Sequence, residues 1–212
     1  MYEDIKIEII KTALKLVKYN IIKMSAGNLS VRANSEHIVI TPSGMDYEEI
    51  KVSNLIVIDI DGHIIEGGET PSVDSKALLY IYNNLQRVNA IIHTHQVYAS
   101  AVGLVLKKIP SILTTLANAV GGEVVVAPYC SAANIEMGME VVKYIKNKNA
   151  VILKNHGVIG IGQTLREALY AVVYLEDAAK ALYISKIFGN PSILTKEQTV
   201  RAIEVFRNYG QK

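Results

Sequence analysis

The 212-residue chain carries 22 Lys and Arg against 20 Asp and Glu, and 50% of its residues are hydrophobic. This composition excludes an intrinsically disordered chain. A net charge of +2 argues against a nucleic-acid binder that works through bulk charge, so no nucleic-acid partner is expected. The length predicts one domain over residues 1–212, and the single cysteine favours a reducing, cytoplasmic location.

The first predicted element is an amphipathic helix over residues 2–22. Its apolar residues recur at helical spacing and are interrupted by lysines. The amino terminus is acidic where a secretory signal is basic. Stretches of about eighteen uncharged apolar residues are missing from the sequence, so no membrane partner is expected.

The rest of the chain mixes neighbouring strands with strands that alternate with helices. This mixture predicts an α/β fold, a three-layer sandwich in which helices flank a mostly antiparallel central sheet. The spacing of apolar residues does not predict the order of the strands in the sheet. A turn of small residues over 25–32 leads into the first predicted strand. Further strands are predicted at 37–40, 55–60, 63–65, 90–93, 123–127, 150–153 and 158–161. Further helices are predicted at 73–85, 97–105, 134–145, 165–187 and 196–208.

Three of the five histidines follow or end apolar strands. His93 and His95 are two residues apart, so in extended chain their side chains point to one face. His156 ends another apolar strand and precedes a glycine, which permits a tight turn. Three neutral imidazoles suit zinc and leave one position open for chemistry. The alternative is that they are core histidines satisfied by hydrogen bonds; His37 and His63 are predicted to be surface residues of hairpins.

Small polar residues form a second candidate group. Gly27 with Asn28, and Ser43 with Gly44, lie in turns whose N–H groups and side chains can bind an anion such as phosphate. The same residue types are common in ordinary turns. Asp74 begins a predicted helix, where a carboxylate either caps the helix or, beside a metal, binds that metal or moves a proton.

Taken in order, these motifs resemble the class II aldolase/adducin family, and within it the L-fuculose-1-phosphate aldolases. The resemblance covers nearly the whole chain with the spacing kept. The matching segments are Gly27-Asn28-Leu29-Ser30-Val31-Arg32, Thr41-Pro42-Ser43-Gly44, Pro71-Ser72-Val73-Asp74, residues 88–95, Gly121-Gly122, Ala127-Pro128-Tyr129, Asn155-His156-Gly157 and residues 205–210.

The resemblance implies a lyase that reversibly cleaves a ketose 1-phosphate, of the L-fuculose 1-phosphate type, into dihydroxyacetone phosphate and an aldehyde. It also implies a nine-stranded sheet and a homotetramer with active sites between subunits. The implied metal is one Zn²⁺ per subunit, or another divalent ion. The implied residues are His93, His95 and His156 for the metal, Gly27, Asn28, Ser43, Gly44 and Ser72 for the substrate phosphate, and Asp74 and Tyr209 for catalysis, Tyr209 in a neighbouring subunit's site.

Three positions depart from the pattern of the fuculose-phosphate aldolases. Asp74 stands where those enzymes have glutamate, Val73 replaces a serine, and Ala132 replaces an aromatic residue near the aldehyde pocket. Asp74 also resembles the metal-binding aspartate of the ribulose-5-phosphate 4-epimerases. The further catalytic aspartate of that group would fall near Asn118, however, and asparagine cannot act as a proton acceptor. The alternatives within the family are such an epimerase, a dehydratase or decarboxylase, and a metal-free adducin-like interaction module. A further alternative is an amidohydrolase barrel, which also begins with a His-x-His pair.

Overall fold

A nine-stranded sheet forms the centre of the molecule in the computed structural model, which describes residues 1–207. The strands are β1 (Asn28–Arg32), β2 (His37–Ile40), β3 (Ile56–Asp59), β4 (Ile64–Glu66), β5 (Ala90–Thr94), β6 (Lys108–Ile109), β7 (Val124–Ala127), β8 (Ala150–Leu153) and β9 (Gly157–Gly162). The α-helices are α1 (Glu3–Lys18), α2 (Ser75–Asn84), α3 (Val97–Val105), α4 (Thr114–Val120), α5 (Ile135–Ile145), α6 (Leu165–Phe188) and α7 (Lys196–Arg207).

The strand order is β4-β3-β2-β1-β5-β9-β8-β7-β6, so β5 lies at the centre between β1 and β9. Neighbouring strands are antiparallel except for the parallel pair β7 and β8. This arrangement confirms the α/β class and the mostly antiparallel sheet. It excludes the amidohydrolase barrel, because the sheet is open and ends at β4 and β6.

Apolar residues on both faces of the sheet pack against helices. On β3, Val57 joins one buried cluster, whereas Ile56 and Ile58 join the other, as the alternation of side chains along a strand requires. The first cluster includes residues of α1, α3, α4 and α6, and the second includes residues of α2 and α5. Helices on two faces confirm part of the expected three-layer arrangement.

The structure corrects the predicted extent of the first helix. α1 ends at Lys18 rather than at residue 22, and Asn20 adopts a left-handed conformation with φ of 59°. Ile21 and Ile22 are nevertheless buried in the core. The apolar pattern therefore continues past the helix because the turn also packs inward.

Two short elements, β6 and α4, were not predicted, because two and seven residues are too few to display a periodic pattern. Among the described helices, none combines the length and the apolar composition needed to cross a bilayer.

Gly27 lies where the chain passes close to β5. Its φ is +89°, and a Cβ at this position would lie 2.3 Å from the carbonyl oxygen of His93. We expect Gly27→Ala to lower the free energy of unfolding by roughly 2–4 kcal/mol, because backbone strain and a steric clash add. Urea unfolding measures this loss. Gly68→Ala is the matched control, since a Cβ there meets open space, and equal losses in the two variants would contradict the assignment.

Candidate active site

Three histidine side chains converge at the centre of the sheet. His93 lies on β5, His95 follows the end of β5, and His156 lies in the turn between β8 and β9. The Nε2 atom of His93 is 3.0 Å from Nε2 of His95 and 3.2 Å from Nε2 of His156. Direct pairing of β5 with β9 brings these distant parts of the chain together.

The protonation of these rings is set by burial and by one backbone group. Nδ1 of His93 is 2.9 Å from the carbonyl oxygen of Val158, which assigns the proton to Nδ1 and leaves a lone pair on Nε2. Burial lowers the pKa of His93 to about 4, and the neighbouring His95 and His156 act in the same direction. Burial also lowers the pKa values of His95 and His156. All three imidazoles are therefore neutral at pH 7.

The donor set fits a divalent metal ion. The three ligand nitrogens lie within 4.8 Å of one another. Zinc–nitrogen bonds of about 2.0–2.1 Å in tetrahedral geometry separate the nitrogens by about 3.3 Å, close to the two distances above. Nε2 of His93 has a single lone pair but faces two other ring nitrogens at these distances, so one good hydrogen bond cannot account for both contacts, whereas a shared cation accounts for all three positions. This favours the metal interpretation over that of satisfied core histidines.

Asp74 lies beside the three histidines. Its Oδ2 is 3.8 Å from Nε2 of His93 and accepts a hydrogen bond from Nδ2 of Asn28 at 2.9 Å. Its Oδ1 accepts a hydrogen bond from the backbone N–H of Ala133 at 3.1 Å. Although Asp74 is the N-cap residue of α2, its carboxylate makes no capping hydrogen bond. Both oxygens of the carboxylate are instead engaged by Asn28 and Ala133 on the side of the histidines.

A glycine allows the third histidine to approach the other two. A Cβ on Gly157 would lie 2.2 Å from the carbonyl oxygen of Thr94 and 2.8 Å from Cδ2 of His95. Any larger residue would push the turn between β8 and β9 away from β5. This close contact confirms the tight turn that the sequence predicts at Gly157.

Two polar turns, at residues 41–44 and 70–72, lie next to each other beside the three histidines and Asp74. The backbone N–H of Ser43 donates to the carbonyl of Thr70 at 2.9 Å, and the N–H of Ser72 donates to the carbonyl of Thr41 at 3.3 Å. Ser43 and Gly44 are exposed, whereas Ser72 is buried and its hydroxyl accepts the N–H of Asp74 at 3.4 Å. The turns and the carboxylate therefore form one connected unit.

Asn28 is directed to the carboxylate rather than to the exposed turn. It is 1% exposed, and its Nδ2 donates to Asp74. Its Oδ1 is buried and has no hydrogen-bond partner within residues 1–207. Gly27, the preceding residue, has a separate contact: the hydroxyl of Tyr47 donates to the carbonyl of Gly27 at 2.9 Å.

Sequence reasoning missed the contribution of Ala133. This residue has a left-handed conformation, with φ of 58°, and its N–H contacts Asp74. A backbone donor on an alanine leaves no signal in the sequence.

Of the departures noted above, Val73 is 61% exposed, and Ala132 is exposed in the same loop as Ala133. Tyr209 lies outside the described residues.

Comparison with known proteins identifies the family of the chain. A family model described as Class II Aldolase and Adducin N-terminal domain matches residues 7–183. The chain is 30% identical over 204 residues to the L-fuculose phosphate aldolase of Escherichia coli (strain K12), which covers 96% of this chain and 94% of that protein. It is 28% identical over 206 residues to the 5-deoxy-D-ribulose 1-phosphate aldolase of Bacillus thuringiensis serovar kurstaki, with 97% and 96% covered.

A solved structure of an L-fuculose 1-phosphate aldolase superposes with a TM-score of 0.92 at 34% sequence identity, and 98% of each chain is covered. The family model spans most of the chain, and both the sequence relatives and this structure extend over nearly its whole length. The protein belongs to the class II aldolase/adducin family.

Proposed function

We propose that this protein is a zinc-dependent sugar-phosphate aldolase. It reversibly cleaves a ketose 1-phosphate, of the L-fuculose 1-phosphate type, into dihydroxyacetone phosphate and an aldehyde. The observation that carries the proposal is the convergence of three neutral imidazole nitrogens with the Asp74 carboxylate 3.8 Å from one of them. The sequence relatives described above are named as aldolases of L-fuculose phosphate and of 5-deoxy-D-ribulose 1-phosphate.

His93, His95 and His156 would hold the metal, which when bound supplies Lewis-acid stabilisation of negative charge on substrate oxygens. Asp74 handles the proton. In the condensation direction its carboxylate removes a proton from the hydroxymethyl carbon of dihydroxyacetone phosphate, and in cleavage it returns that proton to the carbon. Asn28 and the N–H of Ala133 orient the carboxylate for this transfer.

The substrate phosphate is assigned to the two polar turns. Ser43 offers an exposed hydroxyl and Gly44 a backbone N–H group next to Ser72. Gly27 and Asn28 complete the phosphate-binding set that the family resemblance implies, although the side chain of Asn28 is directed to Asp74. A fixed phosphate holds the reacting carbons in register with Asp74, which lowers the entropy cost of the reaction.

The proposal also includes features expected from the length, from the single cysteine and from the resemblance to the family. These are a single domain over residues 1–212, a cytoplasmic location, and a homotetramer with active sites between subunits. Tyr209 would act at the aldehyde end of a neighbouring subunit's site. Truncation before Asn208 should then lower turnover and leave the metal content unchanged.

The direct test is product analysis of the purified protein with zinc and a panel of ketose 1-phosphates. Release of dihydroxyacetone phosphate and an aldehyde supports the proposal. Interconversion of ketopentose phosphates without that release would favour the epimerase. A protein that binds less than a tenth of an equivalent of metal after reconstitution and cleaves none of the sugars would favour the adducin-like module.

Ser43 provides a test of phosphate recognition. We expect Ser43→Ala to raise the Michaelis constant for the sugar phosphate roughly 5- to 100-fold, because loss of one hydrogen bond to a charged group costs roughly 1–3 kcal/mol. Steady-state kinetics measure this change. Ser35→Ala, in an exposed turn between β1 and β2, is the control. Equal turnover of phosphorylated and unphosphorylated sugars by the unmutated enzyme would refute the assignment.

A further inference from the structure

His95 differs from His93 in how its backbone is held. β5 ends at Thr94, so His95 lies just beyond the last residue that the sheet fixes. α3 begins two residues later, at Val97. The position of the His95 imidazole therefore depends on how this short segment and the first turn of α3 are anchored.

A single carboxylate on α6 anchors that first turn. Oε1 of Glu176 accepts the backbone N–H of Tyr98 at 2.8 Å, and Oε2 accepts the N–H of Ala99 at 2.9 Å. These N–H groups belong to the start of a helix, where intrahelical partners are lacking and a negative charge is favoured. The N-cap residue of α3, Gln96, provides no side-chain cap, so Glu176 takes that role from another helix.

Gln96 connects the same segment to α6 a second time. Its side chain is 1% exposed, accepts the hydroxyl of Thr94 at 2.7 Å, and donates to the backbone carbonyl of Val172 at 3.1 Å. Thr94 and Gln96, on the two sides of His95, are thus bonded to each other, and Gln96 bonds to α6. The Glu176 contacts are charge-assisted and therefore the stronger of these attachments.

We propose that Glu176 is a positioning residue for His95 and, through His95, for the metal on which the proposed function rests. The carboxylate fixes the start of α3, and this fixes the angle at which the His95 imidazole meets His93 and His156. Residues that hydrogen-bond directly to metal ligands typically change metal affinity 10- to 100-fold when replaced, and this range is the upper limit for Glu176, which acts through the start of α3.

The test is metal affinity measured by competition with a chelator, using the full-length protein with Zn²⁺ and with Co²⁺. We expect Glu176→Gln, which keeps the shape and removes the charge, to weaken Zn²⁺ binding by up to roughly 100-fold and to alter the visible absorption spectrum of bound Co²⁺. Glu176→Asp keeps the charge and should recover part of the affinity. It also provides the test if the glutamine variant fails to fold.

Glu167→Gln is the matched control. Glu167 also accepts a backbone N–H at a helix start, that of Gln163 at 2.8 Å before α6, but it does not contact the histidine segment. A lowered melting temperature of the metal-free protein with unchanged metal affinity and an unchanged Co²⁺ spectrum in folded Glu176 variants would overturn the proposal. Failure of the unmutated protein to bind either metal would instead overturn the proposed function.

Discussion

Replacement of His93 by glutamine is expected to abolish metal binding and to lower the rate of sugar-phosphate cleavage by at least about a thousandfold. Lewis-acid stabilisation is worth several kcal/mol in the transition state, and each 1.4 kcal/mol is about a factor of ten in rate. His93 is fully buried, so glutamine is preferred to alanine because it leaves a smaller cavity. Elemental analysis should find zinc falling from about one atom per chain to less than a tenth.

His63→Gln is the control for this experiment. His63 is exposed, and its Nδ1 is 2.9 Å from Oδ2 of Asp59 in the turn between β3 and β4. We expect that variant to retain both zinc and activity. Full zinc content in His93→Gln would show that the metal is bound elsewhere, and full activity without zinc would refute the metal dependence.

Replacement of Asp74 by asparagine should strongly slow proton exchange at dihydroxyacetone phosphate. In heavy water without added aldehyde, the unmutated enzyme is expected to exchange one hydroxymethyl proton for deuterium. Asparagine keeps the size of the side chain and removes the basic oxygen. General acid–base groups contribute about a hundred- to ten-thousandfold, so exchange followed by proton NMR should fall by that factor.

Two further variants support the interpretation of Asp74. Asp177→Asn changes the same charge at an exposed position of α6 and should leave exchange unaffected. Asp74→Glu restores the length usual in fuculose-phosphate aldolases and should keep some activity. Rapid exchange in Asp74→Asn would assign the base to another residue. Absence of exchange in the unmutated enzyme, combined with interconversion of ketopentose phosphates, would favour the epimerase.

The spacing of apolar and polar residues along the chain predicted many of the helices and strands. The predictions for residues 37–40, 97–105 and 150–153 coincide with β2, α3 and β8. Strand order could not be obtained in this way, because pairings such as β1 with β5 join segments far apart in the chain. Alternation along a strand defines its two faces but carries no information about which strand lies beside it.

The candidate site was predictable to the extent that its residue types are diagnostic. The two histidines on one extended face indicated a metal centre, and the structure brings the third imidazole to them. The surroundings of Asp74 were not predictable, because one donor is the backbone of Ala133. Glu176 gave no signal either, since its contacts with the start of α3 depend on how two helices pack.

The central position of β5 has a consequence for the newly made chain. All five of its residues are buried, yet its partner β9 follows much later in the sequence. His93 and His156 are 63 residues apart, which corresponds to roughly 3–13 s of synthesis at about 5–20 residues per second. Until then β5 has only β1 beside it, and its other edge is unpaired. This interval is when an apolar strand edge is most open to aggregation, so chaperone demand should peak before residue 157 emerges from the ribosome.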